Sequence, residues 1–367
     1  MHKEIKRVLD TLVENGFRAY LVGGFVRDYL LGIVSYDVDI CTNALPKDLF
    51  NLFPNNTNNN NYGGFNFKAK KFNVDITTFR KDVGYENRRP IKIEYVDSLE
   101  EDLKRRDFTI NTICMDNLGN IIDLCNGIND LQDRIIKMVG NIDTKLQEDP
   151  LRILRAVRFA SILDFEIDED LKKGIIKYKE LVKTLSIERI KQELNRIFIN
   201  DNLEKGLNLL KELGLDKELG LSYDDVIYTT DIMGVYAQIK CDDKYFTNIQ
   251  KEYIVGIQRV VSKGVIDNHT LFEYGLYVNT IASEIIGVSK EEVNSLYKNL
   301  PLKEKRDLAI KGSDIISILN IKPSKVVNEI HNTLVELVLD NKLTNEFEVL
   351  KDYIIKNKDV WNYEQRK

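Results

Sequence analysis

Leu21-Val22-Gly23-Gly24-Phe25-Val26-Arg27-Asp28, followed by Tyr36-Asp37-Val38-Asp39-Ile40, is the stretch from which the rest of the chain is read. The apolar run Phe17 to Val22 reads as a strand, Gly23-Gly24 as a tight turn, the next residues as a short helix, and Ile33 to Ile40 as a second, alternating strand. Without a Cβ at Gly23 and Gly24 the backbone can turn sharply and bring N–H groups close to an anion, the helix N-terminus adding positive dipole. A period of two puts Asp37 and Asp39 on one face of the second strand. Two adjacent carboxylates are unfavourable unless a cation sits between them. Mg²⁺, a hard ion that takes oxygen ligands and shares its coordination with phosphates, suits them. A Gly-Gly pair alone is usually a turn, and Asp-x-Asp alone a solvated strand end; their joint occurrence around Arg27-Asp28 points to phosphate chemistry.

Gly23 to Asp39 resembles the signature of the nucleotidyltransferase branch that contains class II tRNA CCA-adding enzymes and bacterial poly(A) polymerases. The resemblance implies an α+β chain: an N-terminal polymerase-beta-like nucleotidyltransferase head with a mixed sheet, then an all-α neck, body and tail. The expected divisions are 1–139 for the head, 140–200 for the neck, 201–290 for the body and 291–367 for the tail.

Size and composition agree with a multidomain chain of ordinary core content: 367 residues, 43% apolar and 30% charged. No apolar run reaches the length of a membrane span, and Met1-His2-Lys3-Glu4 begins no signal-peptide core, so a cytoplasmic protein without membrane association is expected. Cys41, Cys114, Cys125 and Cys241 show no C-x-x-C spacing, and three histidines leave little scope for histidine chemistry. The net charge of −5 argues against a generic polyanion binder but leaves room for basic residues gathered in one groove.

Around the opening stretch, Lys3 to Asn15 carries a helical apolar face (Ile5, Val8, Leu9, Leu12), and Pro46 opens a helix that Pro54 ends. The asparagine tract Asn55 to Asn61 reads as open loop. Phe65 to Lys70 and Phe72 to Phe79 form an expected hairpin whose second strand holds Asp75. A carboxylate inside an apolar strand needs a partner, and a metal held by Asp37 and Asp39 would supply one; the alternative is a solvent-facing strand position. The family usually has Glu there, and a Gly-Thr pair where this chain has Gly63-Gly64-Phe65. Lys81 to Pro90 reads as a polar, flexible loop. Enzymes of the family that add only CC have this loop shortened, so its presence implies A addition as well.

Ser98 and Glu101 form a capping box leading into Arg105-Arg106-Asp107-Phe108-Thr109-Ile110-Asn111, which is similar to the family motif that holds the nucleotide's ribose and phosphates. Glu148-Asp149-Pro150-Leu151-Arg152-Ile153-Leu154-Arg155-Ala156-Val157-Arg158-Phe159 is a third match. Pro150 biases Asp149 toward the N-cap. At 100° per residue Ile153, Leu154, Val157 and Ala160 share one face, and Arg152, Arg155 and Arg158 form a cationic ridge opposite. Asp149 and Arg152, at i and i+3, offer an acceptor and a donor matching the amino group and ring nitrogen of cytosine and adenine. Beyond Phe159 helices take over. Ser186-Ile187-Glu188-Arg189-Ile190 resembles the neck, and Gly312-Ser313-Asp314-Ile315-Ile316 resembles the tail, which here lacks its usual Gly-Pro turn.

The resemblance implies template-independent transfer of C, C and A from CTP and ATP onto the tRNA 3′ end. Asp37 and Asp39 would hold Mg²⁺ with Asp75 completing the site; Gly24 and Arg27 would bind triphosphate, and Arg106 phosphate or ribose. Asp149 and Arg152 would read the base, braced by Arg155 and Arg158. A poly(A) polymerase, an A-adding or a CC-adding enzyme shares these motifs. A catalytically silent RNA-binding protein would not need three carboxylates. An aminoglycoside-type nucleotidyltransferase would not need the Arg-Arg-Asp and Glu-Asp-x-x-Arg segments. Oligomeric state is not encoded in these motifs.

Overall fold

The structure is a computed structural model describing residues 1–54, 58–59, 64–86 and 89–361. Contacts divide it into two compact units, Met1–Leu221 and Ser222–Lys367. Most of the asparagine tract, and Gly63 of the expected Gly-Thr position, lie outside the described residues.

The first unit begins with α1 (Lys3–Glu14), whose Ile5, Val8, Leu9 and Leu12 are buried as their spacing predicts. There follow β1 (Ala19–Val22), α2 (Gly24–Leu30), β2 (Asp37–Thr42), α3 (Pro46–Leu52), β3 (Asn58–Asn59), β4 (Gly64–Ala69) and β5 (Phe72–Thr78). With β8 (Cys114–Met115) and β9 (Ile121–Ile122) these strands make one sheet in the order β3-β4-β5-β2-β1-β8-β9. The sheet is mixed: β2 and β5 run parallel, and their neighbours antiparallel. Alternation sorts the two faces. Val38, Ile40, Val74, Ile76 and Phe65 are buried on one side, while Asp37, Asp39, Asn73 and Asn66 lie on the other.

Lys81 to Pro90 is not an open loop. Arg80–Glu86 (β6) and Arg89–Tyr95 (β7) pair as an antiparallel ribbon, with Lys81 opposite Glu94 and Asp82 opposite Ile93. A polar composition does not prevent strand pairing when the ladder satisfies the backbone and opposite charges face across it. Gly84, at φ +63°, takes a backbone conformation that side-chain-bearing residues rarely adopt.

The chain continues through α4 (Leu99–Lys104), α5 (Gly127–Gln132), β10 (Ile135–Ile136), α6 (Ile142–Glu148), α7 (Leu151–Leu163), β11 (Glu166–Ile167), α8 (Glu169–Tyr178), α9 (Ile187–Phe198), α10 (Leu203–Glu212) and α11 (Leu215–Leu219). Helix α7 is the spine of this region, contacting α6, α9, α10 and the β10–β11 pair. The second unit is helical: α12 (Ile232–Gln238), α13 (Asn248–Lys263), α14 (Asn268–Ile286), α15 (Lys290–Lys298), α16 (Gly312–Leu319), α17 (Lys325–Leu339) and α18 (Phe347–Lys356). The apolar stretch from Val255 to Leu300 resolves into separate helices because Gly264 and Gly287 end two of them in the left-handed conformation. Among the described residues no helix is long and apolar enough to cross a membrane.

Candidate active site

The site is built on two rows of side chains that cross the exposed face of the sheet. Strand register aligns Lys68 (β4), Asn73 (β5) and Asp37 (β2) in one row, and Asn66 (β4), Asp75 (β5) and Asp39 (β2) in the next. The three predicted carboxylates therefore share one face. They line a cleft of about 520 Å³ together with Asn66, Lys68 and Asn73. Asn73 Nδ2 donates to Asp37 Oδ1 at 2.8 Å.

Gly23 packs against Asp39 from the β1 side. Val22 stands opposite Asp39 in the register, and Gly23 follows at φ +75°, ψ −143°. A Cβ at Gly23 would lie 3.0 Å from Asp39 Oδ2 and 3.5 Å from Arg106 Nη1. Glycine is thus required twice, by the backbone angle and by the approach to the carboxylate. Gly23→Ala is expected to lower stability by about 1–3 kcal/mol from the backbone angle alone. Displacement of Asp39 would also cut turnover more than about tenfold. Thermal unfolding and turnover measured side by side check both.

Asp39 and Asp75 are electrostatically unsatisfied. Burial raises the pKa of Asp39, Asp75 and Asp37 raise it further, and Arg106 and Arg27 oppose the rise. Asp75 is also raised by burial, with Arg80 opposing. Asp75 Oδ1 is buried without a hydrogen-bond partner. This is the donor set a hard cation fits: clustered oxygens, one of them orphaned. Among the described residues no group of three or more His, Cys, Asp or Glu side chains is arranged to hold a metal by itself. That accords with an ion that takes one or two carboxylates and completes its shell with water and substrate phosphate.

Behind the carboxylates lies a network that local sequence patterns only partly reveal. Arg27 is buried; its Nη1 donates to Asn111 Oδ1 at 2.7 Å and its Nε to Asp28 Oδ1 at 2.9 Å. Asn111 Nδ2 in turn donates to Asp107 Oδ1 at 3.1 Å, and Arg155 Nε to Asp107 Oδ2 at 2.8 Å. The Phe159 ring lies beneath three guanidiniums, those of Arg27, Arg155 and Arg158, at 5.1, 5.3 and 4.3 Å. Arg106 Nη2 reaches fully buried Asp102 at 3.4 Å, and Arg105 Nε reaches it at 2.8 Å. Asn111 and Phe159 sit inside motifs that the sequence singles out. Their polar and aromatic types among charged neighbours are the available signal. Asp102, the third of three consecutive acids in α4, gives none.

The expected cationic ridge on α7 is corrected. Helix α7 is enclosed on nearly every side, so its arginines pair inward rather than facing solvent. Arg152 and Arg158 are 7% and 5% exposed. Arg152 Nη1 donates to the Lys145 carbonyl at 2.7 Å, and Nη2 to the Arg105 carbonyl at 3.4 Å. Arg158 pairs with buried Glu193 of α9 at 3.1 Å. Burial, then the neighbouring Arg155, lowers the Arg158 pKa to about 10. Asp149 is extended (φ −143°, ψ 95°) while Pro150 already has helical angles. The Asp149 Oδ1 accepts from the Leu151 N–H at 3.2 Å, so its carboxylate caps the start of α7.

Burial alone would raise the Asp107 carboxyl, but Arg155, Asn111 and the Phe108 N–H outweigh it and bring the pKa down to about 2. Its folded value lies below the unfolded value of about 3.9. The stability it contributes is therefore complete above about pH 4 and lost as pH falls toward 2. The expected contribution at neutral pH is about 2 kcal/mol. Urea unfolding of Asp107→Asn should show that loss at pH 7 and a flatter decline between pH 4 and 2 than the parent chain.

A mixed sheet carrying three carboxylates beside a Gly-Gly turn defines the class: a nucleotidyltransferase of the polymerase type. Comparisons agree. The poly(A) polymerase head domain family matches residues 19–137, and tRNA nucleotidyltransferase domain 2 matches 230–354. A region described as an RNA- and SrmB-binding site of polymerase A matches 164–220. The CCA-adding enzyme of Ligilactobacillus salivarius is 34% identical over 95% of both chains, and that of Bacillus cytotoxicus 31% identical over 96% of this chain and 98% of its own. The structure of the Bacillus stearothermophilus CCA-adding enzyme in complex with CTP superposes with a TM-score of 0.84 at 28% identity, covering 98% of this chain and 99% of that one. The chain belongs to the class II tRNA nucleotidyltransferases, the CCA-adding enzymes. Divalent-metal use is general in this family.

Proposed function

We infer that this chain adds C, C and A to the tRNA 3′ end, taking CTP and ATP as substrates and releasing pyrophosphate, without a nucleic-acid template. The observation that carries the reading is the register itself: Asp39 directly beside Asp75 on parallel strands, with Gly23 packed against Asp39. In the reaction the primer's 3′ oxygen bonds to the nucleotide's α-phosphorus, the bond to the β-phosphate breaks, and the hydroxyl proton passes to solvent. Asp37 and Asp39 would hold Mg²⁺, with Asp75 completing the site beside them; when bound, the ion would lower the pKa of the attacking hydroxyl and balance charge on the departing pyrophosphate.

The protein's own groups do the positioning. The Gly23-Gly24 turn leaves room for a triphosphate beside Asp39, and Arg106 at its edge supplies positive charge there. Arg27 acts from beneath, fixing Asn111 and Asp28 at the turn. Asp149 and Arg152 read the base, Asp107 with Arg155 locks α7 to the Arg-Arg-Asp segment, and Arg158 anchors α7 to α9. Residues 1–139 carry the chemistry, 140–200 the base recognition, 201–290 form the helical body, and 291–367 are the tail that contacts tRNA through RNA shape. A cytoplasmic location follows from the substrate.

The test is incubation with Mg²⁺, labelled CTP or ATP, and tRNAs ending at the discriminator base, C or CC. Addition that stops at CCA on all three is the expected result. Growth of a long A tract, or a stop at CC, would replace this reading with a poly(A) or CC-adding activity.

A further inference from the structure

Given nucleotidyl transfer in the cleft, as proposed for it, one part of that cleft remains without a role. In an in-line displacement the attacking and leaving oxygens lie on opposite sides of the phosphorus. With the triphosphate on the Gly23 side of the carboxylates, the primer must arrive from the opposite side, across β5 and β4. That side is polar and open. Lys68, Asn66 and Asn73 are all exposed there, on the same sheet face as the carboxylates, and all line the same cleft.

Lys68 is the cation of this group. Its side chain has no ion-pair or hydrogen-bond partner among the described residues. Its row runs Lys68, Asn73, Asp37, so it stands two strands from the catalytic carboxylate, roughly 10 Å at the usual strand spacing. A lysine side chain spans much of that gap. The flexible side chain lets the ammonium stand anywhere up to that distance from a hydroxyl held at Asp37, a range that includes one nucleotide step. We propose that Lys68, flanked by Asn66 and Asn73, seats the phosphodiester that precedes the terminal nucleotide of the tRNA primer. An ammonium suits this task because it is a point charge that accepts any phosphate orientation, and the primer's last phosphate must be held through successive rounds of growth. Asn73 couples the seat to catalysis, since its amide also holds Asp37.

The experiment uses the full chain and tRNA ending at the discriminator base. Lys68→Ala should raise the KM for tRNA about five- to tenfold while the KM for CTP and kcat stay within about twofold. The slope of log(kcat/KM) for tRNA against log salt should flatten by about 0.7, the value of one single-strand phosphate contact. Lys68→Arg should restore most of both. A thermal unfolding scan establishes that the variants are folded. An unchanged tRNA KM and salt slope would leave Lys68 as a charge that merely protects an edge strand, and the primer seat would fall. A rise in the KM for CTP in place of tRNA would also overturn it. Wild-type protein in the same assay separates the two levels. If it extends no tRNA, the activity reading itself fails; if it extends tRNA and Lys68→Ala matches it, only the seat is lost.

Discussion

Asp39→Ala is expected to reduce kcat for CTP incorporation into tRNA by at least about a thousandfold, with the unfolding temperature held or raised. The first half follows from position. Asp39 is the carboxylate common to both sides of the cleft, facing Gly23 through its Oδ2 and Asp75 through the strand register. Removing it takes away a ligand shared by metal and substrate, and electrostatic stabilisation of this kind is among the strongest sources of enzymatic rate enhancement. The second half follows from electrostatics. Asp39 is raised by burial and by Asp75 and Asp37, so its charge opposes folding when no cation is bound. A residue that strains the fold and is indispensable to turnover marks a functional site. The check is single-turnover incorporation of labelled CTP beside a thermal scan in chelator. More than a tenth of parental turnover in Asp39→Ala would remove Asp39 from the centre of the chemistry. Chelation of divalent metal should stop the parent chain as completely as the substitution does, and re-addition of Mg²⁺ should restore it.

The sequence is readable where chemistry and periodicity coincide. Asp37, Asp39 and Asp75 fall on one face because a strand alternates, and the alternation shows in Val38, Ile40, Val74 and Ile76. Helical periodicity does the same for α9, where Ile190, Leu194, Ile197 and Phe198 of the apolar stripe point inward, although Ile187 in its first turn is exposed. Periodicity stops at pairings between distant segments. No local pattern says that Asn111 reaches Arg27, 84 residues away, or that Glu193 neutralises Arg158, 35 residues away. The α7 arginines illustrate the cause. An angular plot separates them from the apolar face, but it cannot know that a second layer of protein covers that side, where a charged group is retained only with a partner. The ribbon of β6 and β7 escapes a sequence-based reading for a different reason. The reading of Lys81 to Pro90 as a loop stops just short of the alternation Ile91-Lys92-Ile93-Glu94-Tyr95, which marks the second strand of the pair.

Base choice should respond to Asp149 and Arg152 in a way that loss of stability cannot imitate. Cytosine and adenine each present an amino donor beside a ring-nitrogen acceptor; uracil and guanine reverse the pair. Asp149 spends Oδ1 on the Leu151 N–H, and Oδ2 makes no hydrogen bond among the described residues, which leaves an acceptor for an amino group. Arg152 is clamped by the carbonyls of Lys145 and Arg105, so its plane is set before any nucleotide arrives and its unused N–H groups have a fixed direction. A template strand discriminates in the same way, through donors and acceptors held rigid by a scaffold. A paired contact of this type is worth about 1–3 kcal/mol of discrimination. Asp149→Ala should therefore lower the ratio of kcat/KM for CTP over UTP by about 10- to 100-fold. Asp149→Asn, which can present an amide donor to the uracil carbonyl, should shift the ratio further toward UTP. Arg152→Ala will also weaken the fold, because the Lys145 and Arg105 carbonyls each lose a donor. The ratio between two nucleotides is blind to that loss, since both are measured on the same folded fraction. If both alanine variants keep the parental ratio, the choice of base is made elsewhere, and the clamp on Arg152 serves only to join α6 to α7.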